Sequence, residues 1–206
     1  MLNKHGFDIW ANGYENSVVE SYNNDSYPFA GYKEIINSIY NEIMKKPKSN
    51  VLDIGIGTGI LAKKLYDNAH KITGVDFSQK MLSISAAKMK DALLIQYDFT
   101  IGLPNKIKNR KFDFIVFTYS IHHLNDNKKT ELLNSLKSYL APGGKILIGD
   151  ISFKKADDLS ACKIKYAAEW DNDECYYSYE DTKNHLEFPQ KSYQQISFCG
   201  GIMTLS

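Results

Sequence analysis

Along residues 50–150 short apolar runs alternate with stretches of helical spacing. Val51, Leu52 and Ile54 form a brief apolar run that ends in glycines, the mark of a buried strand. Residues 60–66 then carry helical spacing, 71–75 form a second strand, and 78–89 read as a helix with Met81, Leu82 and Ile84 available for burial. Residues 92–96 are a third strand. A fourth spans 112–118, where Phe114, Ile115, Val116 and Phe117 are apolar on both faces, as in the centre of a parallel sheet. Leu132, Leu133, Leu136 and Leu140 fall on one face of a helix over 130–140. Ala141-Pro142-Gly143-Gly144 breaks that helix, and 145–149 make a fifth strand.

The pattern changes at both ends. Phe7, Trp10, Tyr14 and Val18 share one helical face ahead of the first strand. After Asp150, residues 155–170 read as a helix, and Ser178-Tyr179-Glu180-Asp181 as a capping box opening another. Segments 192–198 and 202–205 flank Gly200-Gly201 as a closing hairpin. The expectation is an α/β fold: a doubly wound, mostly parallel sheet with right-handed crossovers, closed by a C-terminal antiparallel hairpin. One domain is expected over 1–206, with a helical cap in 1–45, a ligand-binding core in 46–150, and a substrate side completing the sheet in 151–206. Ligands of such sheets bind at the carboxyl ends of the strands, where strand order reverses.

Charge narrows the choice of partner. The 206 residues carry 25 basic and 24 acidic side chains, a net +1, and Arg110 is the one arginine. Neither nucleic acid nor a membrane surface is an expected partner, since both call for a basic footprint. Cys162, Cys175 and Cys199 are too few and too scattered for a disulfide framework or a zinc cluster, and no metal is expected. With no apolar run near the roughly 18 residues of a membrane span, the chain is expected in the cytoplasm.

The sharpest stretch is Asp53-Ile54-Gly55-Ile56-Gly57-Thr58-Gly59. Glycines at a strand-to-helix turn let the backbone approach a ligand closely. A dinucleotide fingerprint needs glycine at position 60, where this chain has Ile60, and the Asp53 carboxylate would repel a pyrophosphate. It would suit a cationic ammonium or sulfonium instead; the alternative is a tight turn with no ligand. Asp76, 21 residues after Gly55, can accept both hydrogen bonds of a ribose diol, unless it or Ser78 merely caps the next helix. Asp98, after the third strand, is placed to accept from an adenine amino group; the alternative is a solvated turn.

Together these pieces resemble the class I S-adenosylmethionine-dependent methyltransferases. Residues 51–59 resemble the family's glycine-rich motif, 74–82 its acidic ribose motif and Tyr97-Asp98 its adenine motif. Residues 112–116 through Ser120-Ile121-His122-His123-Leu124 are similar to its fourth-strand motif, and 140–145 to the turn before strand five. Phe7 to Tyr14 is similar to the N-terminal helix of its small-molecule branch. The whole most resembles compact bacterial members associated with sulfur-amino-acid recycling, specifically over residues 7–150 and loosely beyond.

The resemblance implies S-adenosylmethionine as cofactor. Gly55, Gly57 and Gly59 would pass beside its methionine moiety, and Asp53 would lie near its ammonium. Asp76 would hold the ribose, Phe77 would pack on the adenine, and Met81, Asp98 and Phe99 would complete that side. Thr118 and Tyr119 would lie beside the sulfonium, where an oxygen or an electron-rich ring attracts a cation. Tyr14 is a further candidate for lining the site, against the alternative that Trp10 and Tyr14 are ordinary core.

His122 is the candidate base, because imidazole titrates near neutrality, with Tyr119 as a second catalytic candidate. Adjacent histidines on a loop are not expected to face one site, and His123 is expected to pack at a helix start. The reading is methyl transfer to a small-molecule acceptor by in-line displacement, releasing S-adenosylhomocysteine (SAH). The rivals are a non-catalytic S-adenosylmethionine-sensing module, a nicotinamide-dependent oxidoreductase and a nucleic-acid methyltransferase. Turnover separates the first of these from an enzyme; Ile60 and Asp53 count against the second, and the scarcity of arginine against the third.

Overall fold

The computed structural model describes residues 26–206, so Phe7, Trp10, Tyr14 and Val18 lie outside the described residues. Its elements run α1 (Tyr32–Met44), β1 (Asn50–Ile54), α2 (Ile60–Asp67), β2 (Lys71–Asp76), α3 (Gln79–Lys88), β3 (Leu93–Gln96) and β4 (Phe112–Thr118). Then come α4 (Asp126–Leu136), β5 (Leu140–Phe153), α5 (Ala156–Lys165), β6 (Tyr177–Ser178), α6 (Tyr179–Thr182), β7 (Lys191–Gln195) and β8 (Gly200–Leu205).

The sheet order is β3-β2-β1-β4-β5-β8-β7, with β6 beside β5 off this path. Strands β1 to β5 are parallel, whereas β8 runs antiparallel to both β5 and β7. Strand order therefore reverses between β1 and β4, and a crevice opens at their carboxyl ends. Two apolar clusters fill the two faces of the sheet. Leu52, Ile54, Ile115 and Phe117 point to one, with α4. Val51, Phe114 and Val116 point to the other, with α1 and α2.

Helix α1 is core, although the stretch 1–45 reads as a cap. Its Ile35, Ile36, Ile39 and Ile43 are all buried, each such burial contributing about 1.5–3 kcal/mol. It lies so close to β5 that a Cβ on Gly149 would come within 2.4 Å of Ile35 Cγ2. Helix α4 starts earlier than the leucine spacing predicts, because Asn125 Oδ1 accepts from Lys128 N at 3.0 Å and caps it. Strand β5 then begins at Leu140 and runs through the Pro-Gly-Gly turn, absorbed by a register shift against β4 between Phe112 and Phe114. The predicted helix over 155–170 ends at Lys165. The predicted cap at Ser178 is formed, its Oγ accepting from Asp181 N at 3.3 Å. Among the described residues no helix is long and apolar enough to cross a membrane.

Candidate active site

The turn after β1 sits at the point where strand order reverses. Gly55 has φ +77°, and a Cβ there would meet Ser120 Cβ at 2.4 Å; Ser120 in turn donates to Ile54 O at 2.8 Å. Only glycine lets the β1 turn and the segment after β4 approach this closely. Gly57 has φ +54°, but a Cβ there would meet nothing within 4 Å, because it would project into open space. The first glycine serves packing and the second leaves room for a ligand.

That space is a cavity of about 310 Å³, at the lower end of the roughly 300–1,000 Å³ of small-molecule sites. Of the residues singled out in the sequence, Asp53, Gly55, Gly57, Asp76, Phe77, Met81, Phe99, Thr118, Tyr119 and His122 line it. Tyr14 lies outside the described residues. Gly59 is not in the wall: it is the N-cap residue of α2, and a Cβ on it would meet Ser85 Oγ at 2.9 Å. Asp98 also stands apart from the expected adenine contact. It is exposed, and its Oδ1 accepts from Thr100 N at 2.9 Å to cap a 3₁₀ turn, leaving Phe99 to form the wall.

Asp76 is a clamp for the glycine turn. Its Oδ2 accepts from Gly57 N at 2.8 Å and its Oδ1 from Ser78 N at 2.9 Å. Ser78, not Asp76, is the N-cap of α3, accepting from Met81 N at 3.2 Å. Asp53 is 2% exposed, and its Oδ1 has no hydrogen-bond partner among the described residues; Thr58 Oγ1 is in the same condition. A buried polar atom without a partner costs about 1–3 kcal/mol, so two of them at the wall of one cavity mark where a polar ligand fits. Burial, and secondarily the charge of Asp76, pushes the Asp53 carboxyl up to about 7.

On the far side of the turn, Tyr119 adopts φ +52°, an uncommon conformation for a large side chain, and its ring packs 4.8 Å from Tyr32 and 5.5 Å from Phe29. His122 follows on a short 3₁₀ turn, Ile121–His123. Its Nδ1 lies 2.6 Å from Asp150 Oδ1 and its Nε2 3.5 Å from Glu174 Oε1. Burial alone would lower its pKa, but the charge and hydrogen bond of Asp150 outweigh burial and raise it. Asp150, itself fully buried, is held below the usual carboxylate range: burial pushes it up, and His122 pulls it down further.

His123 does not merely pack at a helix start. It lines the same cavity as His122, with ring centroids 4.3 Å apart, and burial followed by the charge of His122 depresses it to about 3. The ligating atoms of His122, His123 and Glu174 lie within 4.8 Å of one another, so the expectation that adjacent imidazoles cannot face one site is overturned. A 3₁₀ turn moves successive side chains by a third of a revolution, and both reach the open end of the sheet.

Asp150 was open to discovery in the sequence, because it follows Gly149 at the carboxyl half of the fifth strand. Glu174 and Tyr176 carried no such signal. They lie on an irregular segment anchored by Lys129, which is fully buried and donates to Cys175 O at 2.8 Å and Asp126 Oδ1 at 3.2 Å.

A sheet of this order, with a glycine turn and two acids at its crevice, defines a Rossmann-like ligand-binding protein. Comparison with known proteins says which kind. A family model described as a methyltransferase domain matches residues 29–196. An uncharacterized methyltransferase of Alkaliphilus oremlandii is 32% identical over 177 residues, covering 86% of this chain and 78% of that one. Two solved structures share the fold at 16% identity each. The DhpI–SAH complex has a TM-score of 0.72 and coverage of 98% of this chain and 94% of that one. Magnesium protoporphyrin IX methyltransferase (ChlM) of Synechocystis PCC 6803 with bound SAH has a TM-score of 0.66 and coverage of 84% and 82%. The chain belongs to the methyltransferase-domain family, and it is a class I enzyme with S-adenosylmethionine as methyl donor.

Proposed function

We propose that the acceptor is a small molecule, methylated in the cavity between the glycine turn and the segment 169–176. The observation that carries this is the wall itself. Asp53 Oδ1 and Thr58 Oγ1 lie buried and unsatisfied on one side, Gly57 leaves open space beside them, and His122 stands on the other. S-adenosylmethionine supplies an activated methyl group on a sulfonium. Asp53 and the backbone of Gly55 and Gly57 would hold its methionine end, Asp76 its ribose, and Phe77, Met81 and Phe99 the adenine. Thr118 and Tyr119 would border the sulfonium.

The chain's own contribution is to position, to exclude water and to move a proton. Alignment of reactants in such a site is worth roughly 7–11 kcal/mol. His122, oriented through Nδ1 by Asp150, presents Nε2 for a proton of the acceptor, as a general base does.

Two measurements test this. SAH should raise the melting temperature and NAD should not, with about 2.7 kcal/mol gained at a hundredfold excess over Kd. Radiolabelled S-adenosylmethionine incubated with the protein and a fractionated metabolite pool should label a low-molecular-weight product. Label appearing in protein or RNA fractions and in no small molecule would overturn the reading.

A further inference from the structure

Beyond the choice of a small molecule, the cavity has a chemical bias. Its described wall contains the carboxylates of Asp53, Asp76, Glu169, Asp171 and Glu174, and no lysine or arginine. The wall is also aromatic, with Tyr27, Phe29, Tyr32, Tyr119 and Tyr176 in it.

These rings are held in place. Tyr27 stacks 5.0 Å from Tyr166 and 5.7 Å from Trp170, and Trp170 meets Tyr176 edge-on at 4.8 Å. Tyr27 OH donates to Tyr176 OH at 3.3 Å, and Tyr176 OH donates to Glu174 Oε2 at 2.5 Å. The hydroxyls thus fix Glu174, whose Oε1 faces His122 Nε2. Glu169 and Asp171 are exposed at the rim, where like charges set the sign of the field that an entering molecule meets.

We propose that the methyl acceptor is an amine that arrives as an ammonium ion, recognised by Glu174 and the tyrosine walls and drawn in past Glu169 and Asp171; this rests on the methyl-transfer reading above. Aromatic faces and carboxylates both favour a cation and penalise a desolvated carboxylate or phosphate. An ammonium has no lone pair, so it must lose a proton before it can attack, and His122, in its neutral form, takes that proton. The freed nitrogen pair then forms the new N–C bond. The old S–C bond breaks with its electrons left on sulfur, and the N-methyl product leaves as a cation, with one proton released overall.

The test is equilibrium binding to SAH-saturated protein by calorimetry, using three probes that differ in one group: 2-phenylethylamine, 2-phenylethanol and phenylacetate. A parallel aliphatic set comprises butylamine, butanol and butyrate. In at least one set the amine should bind about tenfold or more tighter than its alcohol, the worth of a charge-assisted contact, and the acid should not bind. Glu174→Gln should remove most of that preference while SAH affinity stays within about twofold, and the Glu169→Gln/Asp171→Asn variant should flatten its salt dependence. Amines that bind no better than the alcohols, or no binding by any amine, would overturn the proposal. Failure of SAH itself to bind would instead overturn the reading beneath it.

Discussion

The Nδ1 of His122 lies 2.6 Å from Oδ1 of Asp150, a pairing of two buried groups drawn from the turn after β4 and from β5. The same carboxylate accepts from Ile121 N at 3.0 Å through Oδ2 and from Ile151 N at 2.7 Å through Oδ1. Ionised and fixed by two backbone donors, Asp150 holds His122 in the tautomer that carries its proton on Nδ1 and leaves Nε2 facing the cavity. Glu174 faces Nε2, His123 lies beside the ring, and Lys129 is the nearby cation.

A pH profile reads this pairing. The ring takes a proton only when neutral, and its pKa is raised, so activity should rise with pH through a midpoint above the ordinary value of about 6.5. Asp150→Asn removes the charge that opposes burial, and the midpoint should move to lower pH as the rate falls. His122→Ala should lose about 10²–10⁴-fold in kcat. A profile unmoved by Asp150→Asn would reduce the carboxylate to a backbone anchor.

The glycine turn makes a second, comparative prediction. Gly55→Ala places a Cβ against Ser120 and should cost stability well beyond the roughly 1–2 kcal/mol of a left-handed alanine. Gly57→Ala carries the same kind of backbone strain but meets open space, so stability should fall by about that amount alone. Its cost should appear in SAH binding, weakened at least tenfold where the new methyl group enters the ligand's volume. Thermal melts and calorimetry on both variants check this. Equal effects of the two on stability, or full SAH affinity in Gly57→Ala, would mean that the turn does not face the ligand.

The fold was legible because each strand of the parallel core is short, apolar on both faces and bounded by breakers, as in 112–118. The helix over 126–136 was misplaced by several residues, since its start depends on the single cap at Asn125 and the leucines speak only for its buried face. In the site, ring chemistry singled out His122, on the turn after β4, and position at the ends of β1 and β2, where topology assigns ligands, singled out Asp53 and Asp76. It did not reveal that both oxygens of Asp76 hold backbone N–H groups, or that Asp98 turns back to cap Thr100. A carboxylate's type and position are sequence facts, whereas its partners are set by turns only the folded chain defines. Glu174 and Tyr176 were out of reach for the same reason, lying on irregular backbone where Cys175 O accepts from the buried Lys129.

Asp53 gives the last prediction, because its carboxyl is pushed up to about 7 by burial and by Asp76. A carboxyl whose pKa is about 3.9 in the unfolded chain and higher in the folded one binds its proton more tightly when folded. Its contribution to stability is therefore full below pH 4 and is lost as pH rises to about 7. Asp53→Asn, which cannot ionise, should melt higher than the parent at pH 8 by roughly 2–4 kcal/mol of stability, and about equally at pH 4. Ligand should reverse this order at pH 8. A cationic ammonium beside Asp53 favours its ionised form, so SAH binding at pH 7 should release a proton, seen as a binding enthalpy that changes with the ionisation heat of the buffer. In Asp53→Asn that release should vanish and SAH affinity at pH 8 should fall by about tenfold or more, the loss of a charge-assisted hydrogen bond. Parent and variant with the same buffer dependence and the same affinity would place the ligand's ammonium elsewhere in the cavity.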